Sequence, residues 1–257
     1  MAPIVHCVRH AQGYHNLCNA NHAIHDPLLT PLGEEQCRTL AQKFPYHDNI
    51  DCVVASPLQR TINTAMLGFG QDLDKKGLKI IALPDLQETS DLPCDTGSDP
   101  SVLAKEYEGK PVDLSLVTPD WNGKKGRYSP SNAAVDARAR DARLWLMARP
   151  EKEICLVTHG GFLHFFTEDW SDTGRFCGTG WANTEYRSYT FAPMDHESTT
   201  DANLTETQES RSRRKPAGAK PLDREEQAQL RATTEKEWQD QGYVAQGKAQ
   251  EVIKAKV

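Results

Sequence analysis

Ile4-Val5-His6-Cys7-Val8, followed directly by Arg9-His10, is the stretch of sequence that decides the fold. Its β-branched and apolar residues predict a short buried strand, and Arg9-His10 places two polar residues at the carboxyl end of that strand. The same pattern recurs at Cys52–Ala55 and at Glu153–Val157, two further apolar runs that are followed at once by polar residues. The sequence therefore predicts buried strands that present polar side chains where they end.

Helical segments alternate with these strands. Thr30 and Pro31 have the residue types of an N-cap and a first helical residue, so a helix is expected to begin there. The other predicted elements are a strand over Lys79–Leu83, a half-exposed strand over Glu185–Phe191, a helix from Ser56-Pro57 to Gly68 and Gly70, and helices over Asn132–Met147 and Gly160–Trp170. This alternation predicts an α/β fold, a three-layer α/β/α sandwich with a mostly parallel central sheet and one antiparallel edge strand.

Composition excludes several classes of protein. The chain has 257 residues and a formal net charge of -6, which argues against a general nucleic-acid-binding surface because phosphate binding needs clustered, uncompensated Lys and Arg. No run approaches the roughly 18 to 20 apolar residues of a membrane span, and the N-terminal residues do not resemble a secretory signal. Seven Cys without a CxxC pair are typical of reduced thiols. We therefore expect a cytoplasmic protein, with a nuclear location as an alternative, and neither nucleic acid nor membrane as a partner.

The chain divides into two regions. Residues 1–194 carry the strand and helix pattern, with a loop region at about 84–130 that is rich in Asp, Gly, Pro and Ser and too long for an ordinary connection. Residues 195–257 form a polar C-terminal extension that is expected to be partly helical, over Asp223–Gln241, and partly disordered. Trp238 and Tyr243 are its candidate docking anchors.

Three strand ends deliver a group of unusual residues. Arg9-His10, Ser56 to Arg60 and Thr158 to Gly160 should meet at one edge, because ligand sites of parallel sheets lie beyond the carboxyl ends of the strands. Arg offers a planar fork that matches phosphate oxygens, and a helix opening at Gly160 would add backbone N–H groups. A single His or Arg at such a position is more often a structural hydrogen-bonding group, but four of them together predict a site for a phosphoryl group.

These residues resemble a known family. Val8-Arg9-His10-Ala11 with Asn16, Ser56-Pro57-Leu58-Gln59-Arg60-Thr61, and Thr158-His159-Gly160 are similar to the three motifs of the histidine phosphatase superfamily, in its phosphoglycerate-mutase-like branch. The resemblance covers about residues 3 to 192, and Gly180-Trp181 with Asn183 and Glu185 is similar to fungal members. It implies that His10 is the nucleophile, that Arg9, Arg60 and His159 hold the phosphoryl oxygens, that Asn16 contacts phosphate, and that Glu88 donates the proton to the leaving group.

The remaining site assignments leave alternatives open. Asp85, Asp91 and Asp95 lie near Glu88 in sequence and could serve as the general acid instead. Tyr14, His22 and Asp95 are expected to line the mouth of the crevice and bind substrate together with Asn16 and Gly160. A metal cluster of His15, His22, His25 and Asp26 is the less favoured interpretation, because its spacing fits no familiar closed site. We therefore expect neither a metal nor another cofactor.

The choice among activities depends on departures from the family pattern. The residue after His10 is Ala11, and Gly13 stands where mutases carry Ser. The Arg-Arg-Asn segment with which glycolytic mutases bind the substrate carboxylate has no match within residues 83–128. We therefore predict a metal-independent phosphatase acting on a phosphomonoester or diphosphate of a small molecule, with a mutase or a non-catalytic module of the same fold as alternatives. A small sugar phosphate, a nucleotide, a diphosphate of a secondary metabolite and a phosphotyrosine peptide all stay open as substrates. The oligomeric state also stays open, with a homodimer as one alternative.

Overall fold

A computed structural model describes residues 2–175, 179–192, 201–216 and 220–242, and in them a central sheet of seven strands. The strands run in the spatial order β4-β3-β2-β5-β1-β6-β7. Their bounds are β1 Ile4–Arg9, β2 Cys52–Ala55, β3 Ile80–Ala82, β4 Val112–Asp113, β5 Glu153–Thr158, β6 Tyr186–Phe191 and β7 Leu204–Glu206. The first five are mutually parallel, and β6 runs antiparallel to both β1 and β7. The prediction of a mostly parallel sheet with an antiparallel strand at one side is confirmed.

Seven α-helices accompany the sheet within the described ranges. They are α1 Pro31–Lys43, α2 Gln59–Lys76, α3 Pro100–Glu106, α4 Asn132–Met147, α5 Gly160–Thr167, α6 Gln208–Arg214 and α7 Arg224–Asp240. α1 begins as predicted, because the Thr30 hydroxyl accepts a hydrogen bond from Gly33 N at 3.0 Å. None of these helices is long and apolar enough to cross a membrane.

The predicted limits of α2 are wrong at both ends. The helix starts at Gln59 rather than at Pro57, and it continues through Gly68 and Gly70 to Lys76. Its true end is at Gly77, which adopts a left-handed conformation with φ of 64° that glycine tolerates. Gly68 stays helical because Leu40 of α1 packs closely against its Cα, so tertiary contact outweighs its low helix propensity.

The sheet separates two apolar layers, as a three-layer sandwich requires. Side chains that alternate along the strands point to opposite faces, so Val54 and Leu156 pack on one side and Val53 and Val157 on the other. The first layer holds α4, α5 and α7, and the second holds α1, α2 and α3. The polar ends of β1, β2 and β5 consequently meet at one exposed edge of a rigid sheet.

Two segments are more ordered than the sequence indicates. The region at about 84–130 contains α3, β4 and three short 3-10 turns, and β4 forms the edge of the sheet beside β3. The region after residue 194 contributes β7, α6 and α7, and β7 extends the sheet beyond β6. Trp238 of α7 is buried in the first apolar layer. Tyr243, the other candidate anchor, lies outside the described residues.

Candidate active site

A cavity of about 290 Å³ opens at the edge where β1, β2 and β5 end. Six of the predicted site residues line it, namely Arg9, His10, Asn16, His22, Glu88 and Asp95. Arg60 and His159 lie directly behind His10 and are fully buried. The strand ends therefore converge as the sequence predicts.

His10 is held in one tautomer by two partners that can each play only one role. Its Nδ1 lies 2.7 Å from the carbonyl oxygen of Ala11, which can only accept, so Nδ1 carries the proton. Its Nε2 lies 3.3 Å from Nε of Arg60, which can only donate, so Nε2 carries the lone pair. Burial and the charges of Arg60 and Arg9 lower the pKa of His10 well below its ordinary value. The imidazole is therefore neutral, with a lone pair on Nε2.

Arg60 connects the groups around this nitrogen. Besides bonding His10, its guanidinium donates to the carbonyl oxygen of Cys94 at 2.5 Å, to Oδ1 of Asp95 at 2.9 Å and to Nδ1 of His159 at 3.0 Å. Since Arg60 can only donate, His159 Nδ1 is an acceptor, and its Nε2 donates to the Ser56 hydroxyl at 2.9 Å. Both ring nitrogens of His159 are thus engaged within the protein. A direct contact of Arg60 or His159 with a phosphoryl oxygen requires one of these bonds to open when substrate enters.

Glu88 lies at the N-terminus of α5. Its Oε1 accepts from Phe162 N at 2.8 Å and from Thr89 N at 2.9 Å, and its Oε2 accepts from Gly161 N at 3.1 Å. These are the N–H groups that the sequence suggested for phosphate, so the structure uses them for the carboxyl group instead. Gly161 permits this approach, because a Cβ there would lie 2.7 Å from Oε1 of Glu88. Burial and the nearby charge of Asp95 raise the pKa of Glu88.

The three alternative acids occupy different places. Asp85 is paired with Arg127, whose guanidinium donates to both carboxylate oxygens at 2.8 and 2.6 Å. Asp91 is exposed and does not line the cavity. Asp95 lines it, but both of its oxygens are occupied, one by Arg60 and the other by the Ser90 hydroxyl at 2.5 Å.

The predicted substrate-binding residues separate into two groups. Asn16 and His22 line the cavity, and Asn16 Oδ1 also accepts from Gly13 N at 3.0 Å, which fixes the turn that carries it. Tyr14 does not line the cavity, because this turn directs its ring outward and leaves 42% of the residue exposed. Gly160 does not line it either, since its Cα packs against the Thr179 side chain.

Two further residues belong to the site: His15, which the sequence singled out only in the less favoured metal cluster, and Lys124, which it did not single out. His15 lines the cavity, with its ring 5.4 Å from that of His10, and burial strongly lowers its pKa. Gly13 leaves room for it, since a Cβ there would lie 2.8 Å from Nδ1 of His15. Gly13, two residues before His15, is the only sign in the sequence that this histidine faces the cavity. Lys124 comes from the loop region, where no motif marks it.

Lys124 brings a buried amino group near the carboxyl groups of Asp95 and Glu88. Its Nζ is fully buried and has no hydrogen-bond partner among the described residues. Burial lowers the pKa of Lys124 to about 8, although the charges of Asp95 and Glu88 oppose this shift. The nearby charges of Arg138 and Arg60 lower the pKa of Lys124 further.

The residues considered for a metal cluster are not gathered around one point. Asp26 is buried and accepts hydrogen bonds from Gln59 N at 3.0 Å and from Ser98 N at 2.9 Å, so it joins the start of α2 to the loop that carries Ser98. Within the described ranges no group of three His, Cys, Asp or Glu side chains could hold a metal ion.

Comparison with known proteins identifies relatives of this chain. It is 29% identical over 168 residues to a Schizosaccharomyces pombe protein named "Probable phosphatase", a match that covers 63% of this chain and 76% of the relative. It is 30% identical over 197 residues to a phosphoglycerate mutase-like protein of Arabidopsis thaliana, covering 62% and 72% of the two chains. These relatives support phosphatase activity in general.

Solved structures share the fold at low sequence identity. An ecdysone phosphate phosphatase from Bombix mori superposes with a TM-score of 0.54 at 16% identity, covering 86% of this chain and 97% of that one. A phosphoserine phosphatase from Entamoeba histolytica superposes with a TM-score of 0.51 at 16% identity, covering 80% of this chain and 95% of that one.

The family model of the histidine phosphatase superfamily (branch 1) matches residues 5–200, and the chain belongs to that family.

Proposed function

We propose that this protein is a phosphatase that hydrolyses a small-molecule phosphomonoester through a phosphohistidine on Nε2 of His10. The observation that carries the proposal is the tautomer of His10, whose neutral ring keeps a lone pair on the nitrogen beside Arg60. The cavity volume of about 290 Å³ suits a small molecule, since ligand pockets begin at about 300 Å³.

The first step transfers the phosphoryl group to the enzyme. The Nε2 lone pair, released from the Nε–H group of Arg60, forms a bond to phosphorus while the bond from phosphorus to the ester oxygen breaks. Arg9 and Arg60 stabilise negative charge on the equatorial oxygens, with His159 as the third contact when its bond to Arg60 opens. Glu88 gives its proton to the departing alkoxide, a role that is favoured because burial and the charge of Asp95 raise its pKa.

The second step returns the enzyme to its starting state. Glu88, now a carboxylate, takes a proton from a water molecule as the water oxygen bonds to phosphorus. The bond between phosphorus and Nε2 breaks, inorganic phosphate leaves, and His10 regains its lone pair. The three backbone N–H groups around Glu88 stabilise the carboxylate during this part of the cycle.

Hydrolysis is favoured over phosphoryl transfer to a second substrate. Among the described residues that line the cavity, Arg9 is the only Lys or Arg, and it lies beside the nucleophile. A mutase has to retain a bisphosphate intermediate, and a second phosphate would meet no lysine or arginine besides Arg9 among the described lining residues. Water is therefore the acceptor. A non-catalytic role is disfavoured because His10 lines the cavity and keeps Nε2 unprotonated, which a purely structural histidine would not need.

Metal independence is part of the same proposal. Two guanidinium groups, Arg9 and Arg60, supply the positive charge that a divalent cation supplies in other phosphatases. His10 also needs no metal to become nucleophilic, since burial and these charges already keep it neutral at pH 7.

Trapping the covalent intermediate tests the proposal. Wild-type protein mixed briefly with a ³²P-labelled phosphomonoester and quenched in alkali should retain label that acid releases, as expected for phosphohistidine. His10→Ala should retain none, whereas His25→Ala, which alters an exposed histidine away from the cavity, should label like wild type. Label that persists in His10→Ala would refute the assignment and make His159 the next candidate.

A further inference from the structure

Helix α7 reaches the catalytic cavity from outside the region that defines the family. The family model matches residues 5–200, whereas α7 spans Arg224–Asp240. Nevertheless Trp238, near the end of α7, is one of the residues that line the cavity, together with Gly161 at the start of α5. An element outside the residues matched by the family model therefore contributes to the active site.

Specific contacts dock α7 in this position. Gln227, Arg231, Thr234 and Trp238 recur every three or four residues and so lie on one face of the helix. Gln227 Oε1 accepts from Trp170 N at 2.8 Å, Arg231 pairs with Asp136 at 2.7 Å, and the Thr234 hydroxyl donates to the Thr173 hydroxyl at 2.9 Å. These bonds reach residues that follow α5 and a residue of α4, so the helix is fixed along its length.

Trp238 itself is packed on one side and faces the cavity on the other. Its ring lies 6.0 Å from that of Trp170 and 6.0 Å from that of His164, and only 8% of the residue is exposed. His164 in turn bonds the carbonyl oxygens of Asp169 and Thr179. Thr179 lines the cavity as well, so His164 connects the indole to a second lining residue.

The cavity lining combines one cation with several apolar side chains. Arg9 is the only Lys or Arg among the described lining residues, and its charge acts on His10. Leu17, Leu92 and Trp238 are large apolar side chains that line the cavity, and Leu17 is 54% exposed. A second anionic group would find no further arginine or lysine in this lining, whereas a flat apolar group would find an aromatic wall.

We propose that Trp238 is a specificity-determining residue that selects phosphomonoesters of alcohols carrying an aromatic or other flat apolar group. The inference rests on the proposed function, since it names the substrate class of the same site. The phosphoryl group binds at His10, and the apolar part of the alcohol lies against the indole. Trp238 contributes to binding and leaves the chemical step to the residues around His10.

Binding of stable phosphonates tests the inference without turnover. Isothermal titration of the full chain with 2-naphthylmethylphosphonate and with methylphosphonate gives the preference for the aromatic ligand as a ratio of Kd values. Trp238→Ala should reduce this preference by about two- to tenfold, the range expected for an aromatic pair. Trp238→Phe should retain most of it. Trp145→Ala, which removes a half-buried Trp of α4 that does not line the cavity, should leave it unchanged.

The possible outcomes distinguish this inference from the proposed function. If Trp238→Ala fails to fold, Trp238→Met keeps an adaptable apolar side chain in the core and carries the same expectation. No preference in wild type, an unchanged preference in the folded variant, or an equal loss in Trp145→Ala would overturn the role of Trp238. A preference that depends on Trp238 in a protein that hydrolyses no phosphomonoester would refute the proposed function alone.

Discussion

Replacing Lys124 by Met should make the protein more stable and less active. The side chain is buried at Nζ without a hydrogen-bond partner, and its pKa falls from the ordinary 10.5 to about 8. At 1.36 kcal/mol for each pH unit, the folded state holds this charge at a cost of about 3 kcal/mol. Met has a similar length and no charge, so Lys124→Met should raise the free energy of unfolding at pH 7 by up to about 3 kcal/mol.

The pH dependence of the stability difference shows whether the buried charge of Lys124 causes it. Below pH 8 the ammonium is protonated in both the folded and the unfolded chain, so its full cost is present. Between pH 8 and 10.5 the unfolded chain still holds a proton that the folded chain has lost, and wild-type stability therefore rises relative to that of the variant. Urea unfolding of both proteins at pH 7 and pH 10 should show the difference shrinking. Lys125→Met, at the exposed neighbouring position, should change stability by less than about 0.5 kcal/mol.

The second part of this prediction concerns the activity of Lys124→Met. A buried charge that costs stability is expected to persist where function needs it, and Lys124 lies close enough to Asp95 and Glu88 to interact with their charges. Lys124→Met should therefore lower kcat/KM for a phosphomonoester. A variant that is less stable than wild type, or more stable by an amount that does not change with pH, would contradict the reasoning. Full activity in a stabilised variant would remove the functional role.

Four further predictions concern the reaction and the loop that frames it. Glu88→Gln should slow hydrolysis of an alkyl phosphate by about 10² to 10⁴ and that of a nitrophenyl phosphate far less, because nitrophenolate leaves without a proton; equal losses in steady-state rates would mean that Glu88 only positions substrate. Exhaustive chelation should leave hydrolysis intact, and a strict loss that one divalent ion restores would rule out the metal-free mechanism. Since the pKa of His10 is lowered and that of Glu88 is raised, kcat/KM should stay high at mildly acidic pH and fall as rising pH deprotonates Glu88, and a profile that instead rises towards neutral pH would contradict both directions. Gly97→Ala should lower the free energy of unfolding by about 1 to 3 kcal/mol, seen as a lower melting temperature, because the added Cβ would lie 2.1 Å from the Trp121 ring. Gly70→Ala in α2, where the added Cβ meets open space, should be neutral or stabilising.

The sequence was informative where local pattern and position in the sheet agree. The run from Ile4 to Val8 is apolar enough to be buried on both faces, and a buried strand in a parallel sheet has one possible direction for its carboxyl end. Arg9, His10 and His159 could therefore be placed at one edge before any distance was known. The C-terminal end of α2 could not be placed from the sequence, because contact with Leu40 keeps Gly68 helical despite the low helix propensity of glycine.

Features that depend on distant parts of the chain were outside the reach of the sequence. Hydrogen bonding of Glu88 to the start of α5 joins residues that are more than 70 positions apart, and no local pattern assigns those N–H groups to a carboxyl group rather than to phosphate. Lys124 likewise comes from a segment with the composition of a polar loop. The sequence singled out Trp238 as a docking anchor, but no local pattern indicates that it lines the cavity. Tyr14 was misplaced because the turn at Asn16, rather than proximity to His10 in sequence, decides which side chains face the cavity.

Arg60 shows why the separate motifs act as one site. A single guanidinium bonds His10, His159, Asp95 and the Cys94 carbonyl, and so ties three strand ends to the loop that carries the acidic residues. Its fixed positive charge helps to keep His10 neutral and opposes the shift that raises the pKa of Glu88. The same buried residue thus favours a neutral nucleophile and, against the effect of burial, the carboxylate form of Glu88 that the second step of the proposed reaction needs. Lysine could supply the charge at position 60 but not the planar set of donors, so the geometry of His10 and His159 requires arginine there.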